Sequence, residues 1–130
     1  MNRIIVFIAL MLICCGATFG QQSQAKITGK EKHDIKLTDA AAFTKKFQAA
    51  AAQNSLRAGL FGREIIDRIL AQRSVKGLRI YNALKADGAS TYVIVGVDSS
   101  GNDLKAGILG EEIIPCPPLC GAANELNGKR

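Results

Sequence analysis

"GLRIYNALKADGASTYVIVGVD", residues 77–98, decides the fold. Its opening alternates with a period of two: Leu78, Ile80 and Leu84 share one face, and Arg79, Tyr81 and Ala83 share the other. Successive side chains of a strand point to opposite faces, so this spacing is that of a half-buried strand. Asp87 and Gly88 form a pair suited to a tight turn, and "STYVIVGV" (90–97) is rich in the β-branched residues that strands favour. The stretch predicts a β-hairpin over residues 77–97. Val93, Val95 and Val97 are expected to face the helices, and Gly96 marks a bulge or the close approach of another backbone.

Upstream the period lengthens. In "TDAAAFTKKFQAAAAQ" (38–53), Thr38 is a candidate N-cap, and Asp39 sits in the first turn, where the helix dipole favours an acid. Phe43 and Phe47 lie four apart, with Ala40, Ala50 and Ala51 near the same face, which predicts an amphipathic helix over 39–53. After the glycine-punctuated "RAGLFG" (57–62), a second helix is expected in "REIIDRILAQ" (63–72). There Ile65, Ile66, Ile69 and Leu70 mark the buried side, and Arg63, Glu64, Asp67 and Arg68 the wet side. Glu64 and Arg68 form an acid-then-base pair at i, i+4. Glu64 and Asp67 are two carboxylates three apart, but nothing in the sequence desolvates them, so they read as a solvated face.

Downstream, "DSSGND" (98–103) is a turn with an echo of a calcium-binding loop. That loop needs acids at alternate positions and a late bidentate Glu, whereas Ser100 and Gly107 stand in those places. Residues 108–114 predict an edge strand interrupted by glycine. The order helix, helix, strand, strand, short strand describes an α+β domain: two N-terminal helices packed on a small antiparallel sheet built around the hairpin at 77–97.

The ends of the chain have a different texture. Residues 1–20 join Arg3, the apolar run from Ile4 to Ala17 broken by Gly16, and small residues before a cut after Gly20. This is the build of a secretory signal peptide, and it is shorter than the about 20 apolar residues needed to cross a bilayer. The alternative is an envelope lipoprotein acylated at Cys15. Residues 21–37 are polar and without a period, a flexible leader that holds the one histidine, His33. The single domain then covers 38–130.

The whole chain carries a formal charge of +6. Removing residues 1–20 takes away Arg3 and leaves 16 bases against 11 acids, or +5. Such a charge suits an exported protein with an envelope or extracellular partner, an anionic surface among the candidates. Nucleic acid is a poor fit, because there is no Trp, aromatic residues are few, and bases are interleaved with acids. No transmembrane span is expected in the mature chain.

All three prolines, and the two cysteines outside the signal, fall in "PCPPLCG" (115–121). In an oxidising compartment Cys116 and Cys120 should pair. An extended stretch of this length spans about 13 Å, more than a disulfide tolerates, so the segment must turn. A β-turn from Pro117 to Cys120, with Pro118 at its first central position and Gly121 adapting the exit, would do this. Two other readings use the same residues. One is a redox-active pair, although thiol–disulfide enzymes use two intervening residues at a helix start. The other is metal binding, for which two thiolates and a distant His33 fall short of the four ligands of structural zinc.

No phosphate-binding loop, nucleophile elbow, His-containing metal pair or cofactor-binding signature is present, and no catalytic residue can be named. "GLFGREIIDRILAQ", "GLRIYNAL", "VIVGVDSSGNDL" and "PCPPLCG" together resemble a family of short uncharacterised bacterial proteins over residues 38–126. The resemblance implies an exported or envelope-associated setting and supplies no activity. The sequence therefore reads as a small exported binding, interaction or structural module with a disulfide-closed C-terminal loop. The alternative is a thiol–disulfide redox protein using Cys116 and Cys120.

Overall fold

The computed structural model describes residues 26–128. The expected signal segment, with Cys15, lies outside the described residues. In chain order the elements are helix α1 (Leu37–Ala50), β1 (Ala58–Leu60), α2 (Arg63–Leu70), β2 (Gly77–Leu84), β3 (Ser90–Val97), β4 (Leu109–Gly110) and β5 (Ile114–Cys116). They form an α+β structure with two antiparallel sheets, one ordered β2-β3-β4 and the other a β1-β5 ribbon.

The hairpin forms where its pattern places it. β2 and β3 pair without a break from Gly77 opposite Val97 to Leu84 opposite Ser90. Its turn is local chemistry: the Gly88 N–H donates to Lys85 O, the Lys85 N–H to Ala89 O, and the Ala89 N–H to the Asp87 carboxylate. Gly88 takes φ +83°, a left-handed conformation that costs a side-chain-bearing residue energy.

α2 covers the face of the sheet that carries Ile94. A Cβ built on Gly96 would lie 2.7 Å from Val75 Cγ2 and 3.3 Å from Ile69 Cγ2, and one on Gly110 would lie 3.0 Å from Ile65 Cγ1. Gly96 thus marks a close approach, as expected, but of side chains and with no bulge. Ile69 is fully buried and, with Ile94, forms the centre of the core; burying an isoleucine contributes about 1.5–3 kcal/mol. Gln72 fastens the end of the helix. Its Oε1 accepts from the Ile108 N–H at 2.6 Å, while its Nε2 donates to Ile69 O at 3.1 Å. The expected Glu64–Arg68 pair gives way to Arg63–Asp67 at 3.0 Å, a solvated contact worth about 0.3–0.5 kcal/mol.

Because residues alternate along β3, Val93, Val95 and Val97 point away from α2, which corrects the expected orientation. Val95 and Val97 are nonetheless buried. Asp103 pairs with Val97 on the far side of β3 from β2, and its carboxylate accepts from both Arg79 and Tyr81 of β2. To reach it, those two side chains cross over β3, and their stems shield the valines. Arg79 also donates to Gly101 O at 3.0 Å. Farther along the same face, the buried Thr91 hydroxyl donates to Glu111 at 2.9 Å. The Glu112 N–H first, then Thr91 and the nearby Lys85, hold the Glu111 carboxyl below its ordinary range.

The 98–103 segment is a turn. Asp98 accepts from the Ser100 and Asn102 N–H groups and the Asn102 amide, so its carboxylate serves the loop's own donors. These bonds, Asn102's foremost, lower its pKa. The leader is tied to this loop at its first described residues: the Ile27 N–H donates to Ser99 O, and Glu31 caps the N–H groups of Thr28 and Gly29.

Three features depart from expectation. The expected edge strand at 108–114 is two short strands in different sheets, β4 on β3 and β5 on β1, separated by a bend where Glu112 takes φ +64°. The "RAGL" stretch supplies β1, a three-residue strand too short to show a period. α1 starts at Leu37, so Thr38 lies inside the helix and Lys36 is the N-cap, without a side-chain hydrogen bond. No residue of α1 is buried. Its phenylalanines flank the ribbon as one wall of an open groove instead of filling the core.

A candidate binding groove beside the disulfide loop

The site is built on the β1-β5 ribbon. Ala58, Gly59 and Leu60 pair with Cys116, Pro115 and Ile114, and the Arg57 N–H donates to Cys116 O at 2.8 Å. The ribbon sits tightly against the main sheet. A Cβ on Gly59 would come within 2.6 Å of Ile113 Cδ1 and 2.9 Å of Tyr92 Cδ2, so only glycine allows that seating.

At the end of β5 the chain reverses. The turn that forms is not the expected one from Pro117 to Cys120: the Leu119 N–H donates to Pro115 O at 3.0 Å, enclosing residues 115–119. The peptide bonds preceding Pro117 and Pro118 are cis. The reversal brings the Cα atoms of Cys116 and Cys120 to 4.7 Å, within disulfide range, and the two sulfurs are bonded. Gly121 then leaves with φ +71°, the left-handed exit that a glycine permits.

Asparagines fold the rest of the C-terminal segment into a compact loop. Asn127 Nδ2 donates to Cys120 O and Ala122 O, both at 2.8 Å, and Asn124 Oδ1 accepts from the Leu126 and Asn127 N–H groups. Gln48 of α1 donates to Leu126 O at 2.8 Å, which pins the helix to this loop.

Between these parts lies an apolar groove of about 960 Å³. Its floor is the ribbon, one wall is Phe43 and Phe47 of α1, and the other is Leu119 and Leu126. Phe43 is 66% exposed, Phe47 53% and Leu119 64%. Contiguous exposed apolar side chains of this kind mark interaction sites. A second cavity of about 580 Å³ and mixed polar and apolar lining lies beside the disulfide, bordered by Gln53, Asn54, Pro117 and Pro118. Arg57, Cys120, Gly121 and Asn127 line both.

Of the residues singled out by sequence, Cys116 and Cys120 meet here. His33 is exposed in the leader and is not among the groove residues, and Glu64 and Asp67 stay on the wet side of α2. Phe43 and Phe47, expected on the apolar face of a helix packed on the sheet, form the groove's wall. Arg57 carried no signal of its own: a base before a short apolar triplet acquires meaning only once β5 pairs with that triplet. Among the described residues, neither cavity is lined by a histidine or a carboxylate; the linings offer apolar carbon, side-chain amides and the Arg57 guanidinium. No known protein family, curated protein or solved structure matches this chain.

Proposed function

We propose that this chain is a small exported binding module whose ligand site is the apolar groove between α1 and the disulfide-closed loop. One observation carries the reading: Phe43, Phe47 and Leu119 stand exposed around a single cavity while the same chain buries Ile69, Ile94 and Val95 elsewhere. The disulfide fits an oxidising compartment, and among the described residues no helix is long and apolar enough to cross a membrane. The N-terminal signal pattern supports export.

The test is titration with N-phenyl-1-naphthylamine, a neutral apolar fluorophore. The expected result is saturable binding, lost in Phe47→Glu with the unfolding transition retained. Absence of saturable binding overturns the reading. An intact mass beginning at Gln21 and rising by about 2 Da on reduction supports export and bridge together. A lipidated start at Cys15 replaces the free exported form with an envelope lipoprotein.

Thiol–disulfide exchange is the second reading, favoured by the position of Cys120 on the border of both cavities. Against it, Cys116 is only 7% exposed and ends a strand, not the helix start that lowers a thiol pKa. A structural bridge should show a potential below about −300 mV, and a catalytic one a higher value.

A further inference from the structure

We infer that the occupant of the groove is a free single-chain carboxylate, its alkyl chain lying between α1 and the disulfide loop and its head held at Arg57. The inference rests on the binding reading above and adds the chemistry of the ligand.

The two cavities differ in character and meet at one cation. On one side the surface is phenylalanine and leucine carbon; on the other, proline and alanine carbon shares the lining with the amides of Gln53 and Asn54. Among the described residues, Arg57 is the one charged side chain lining either cavity, and its guanidinium makes no ion pair or hydrogen bond with any of them. The side chains of Gln53 and Asn54 likewise make no hydrogen bond among the described residues, which leaves donors facing the same space.

A purely apolar ligand would leave those donors and the cation unused, and a compact anion would leave the groove unfilled. An alkyl chain ending in a carboxylate satisfies both. The planar guanidinium offers two parallel N–H donors matched to a carboxylate, and with no acid among the described residues of either wall the local field favours an anion. The groove volume is in the range of sites that enclose a small molecule of this size.

The experiment displaces N-phenyl-1-naphthylamine from the oxidised protein with octanoate, decanoate and dodecanoate below their micellar concentrations, and with the alcohols of equal length. Each added methylene should tighten binding about fourfold. Each carboxylate should outcompete its alcohol by about tenfold to a hundredfold, the strength of hydrogen bonds to a charged group. In Arg57→Gln, whose own fluorophore affinity is measured first so that displacement is read relative to it, the acid–alcohol difference should be erased.

Equal displacement by acids and alcohols, or a preference that survives Arg57→Gln, overturns the carboxylate while the groove remains a binding site. Stronger displacement by an apolar decapeptide than by dodecanoate assigns the groove to a peptide and overturns it as well. A fluorophore that never binds, with or without a dimer in sedimentation, removes both this inference and the binding reading.

Discussion

The two halves of the molecule use similar side chains to opposite ends. In the half made of α2 and the three-stranded sheet, Ile69, Ile94, Val95 and Val97 are buried although Ile80 and Leu84 of the edge strand β2 stay exposed, and glycines at 96 and 110 let helix and sheet close on one another. In the half made of α1, the ribbon and the C-terminal loop, Phe43, Phe47, Leu119 and Leu126 stay exposed around a groove. The difference lies in what holds each half together. Apolar burial and the long β2-β3 pairing secure the first, whereas a short ribbon, asparagine hydrogen bonds and a disulfide secure the second. Such bonds can shape a surface without consuming its apolar side chains.

The comparison can be broken most forcefully at the core. Ile69→Ala should destabilise the protein by about 2–5 kcal/mol, seen as a lower midpoint in urea denaturation, because its cavity has no solvent to fill it. Gly59→Ala forces Ile113 and Tyr92 apart and should cost about 1–3 kcal/mol. It should also weaken fluorophore binding, since the ribbon is the groove's floor. Replacing both Cys116 and Cys120 by Ser should cost at most about 2 kcal/mol, because the ring is small and two prolines already restrict the unfolded chain. A loss of the whole fold in that variant would mean that the two halves depend on each other far more than their packing indicates.

Smaller effects sharpen the contrast. Phe43→Ser should change stability by no more than about 0.5 kcal/mol, as a surface substitution does, and yet reduce fluorophore affinity severalfold. The same type of substitution in the core would do the reverse. The smallest effect is at the leader. The Thr28 N–H first, then the N–H of Glu31 itself and the Thr28 hydroxyl, hold the Glu31 carboxyl at about 2, below its ordinary 4.5. A carboxyl lowered on folding contributes above the ordinary value and loses that contribution as the pH falls through the folded one. The turn at 28–31 should therefore loosen between about pH 4.5 and 2, read as faster amide exchange at Thr28 and Gly29, and Glu31→Gln should remove that dependence.

The hairpin was legible because its evidence is local: a period of two, β-branched residues, and a turn pair whose glycine takes the required φ. α2 was legible because one stripe of isoleucine matches one helical face. The bridge between Cys116 and Cys120 was legible because the two cysteines outside residues 1–20 are four residues apart. α1 misled because periodicity reports that a helix has an apolar side, not that anything covers it. β1 and the split of residues 108–114 into β4 and β5 were hidden for a related reason. Strands of two or three residues carry no period, and the bend at Glu112 that sends the chain from one sheet to the other has no local mark. The groove inherits that opacity, since its floor is those strands and its cation, Arg57, gains its place from their pairing.

By itself, the amino-acid sequence determined the α+β class, the central hairpin, the second helix and the cysteine pair, since each follows from interactions among residues near in the chain. Only the tertiary structure decided which face of β3 meets α2, that Arg79 and Tyr81 shield the opposite face, and that Phe43 and Phe47 border a groove. Those outcomes depend on contacts between segments distant in sequence, where an apolar side chain can be core or ligand site according to what else is left to cover it.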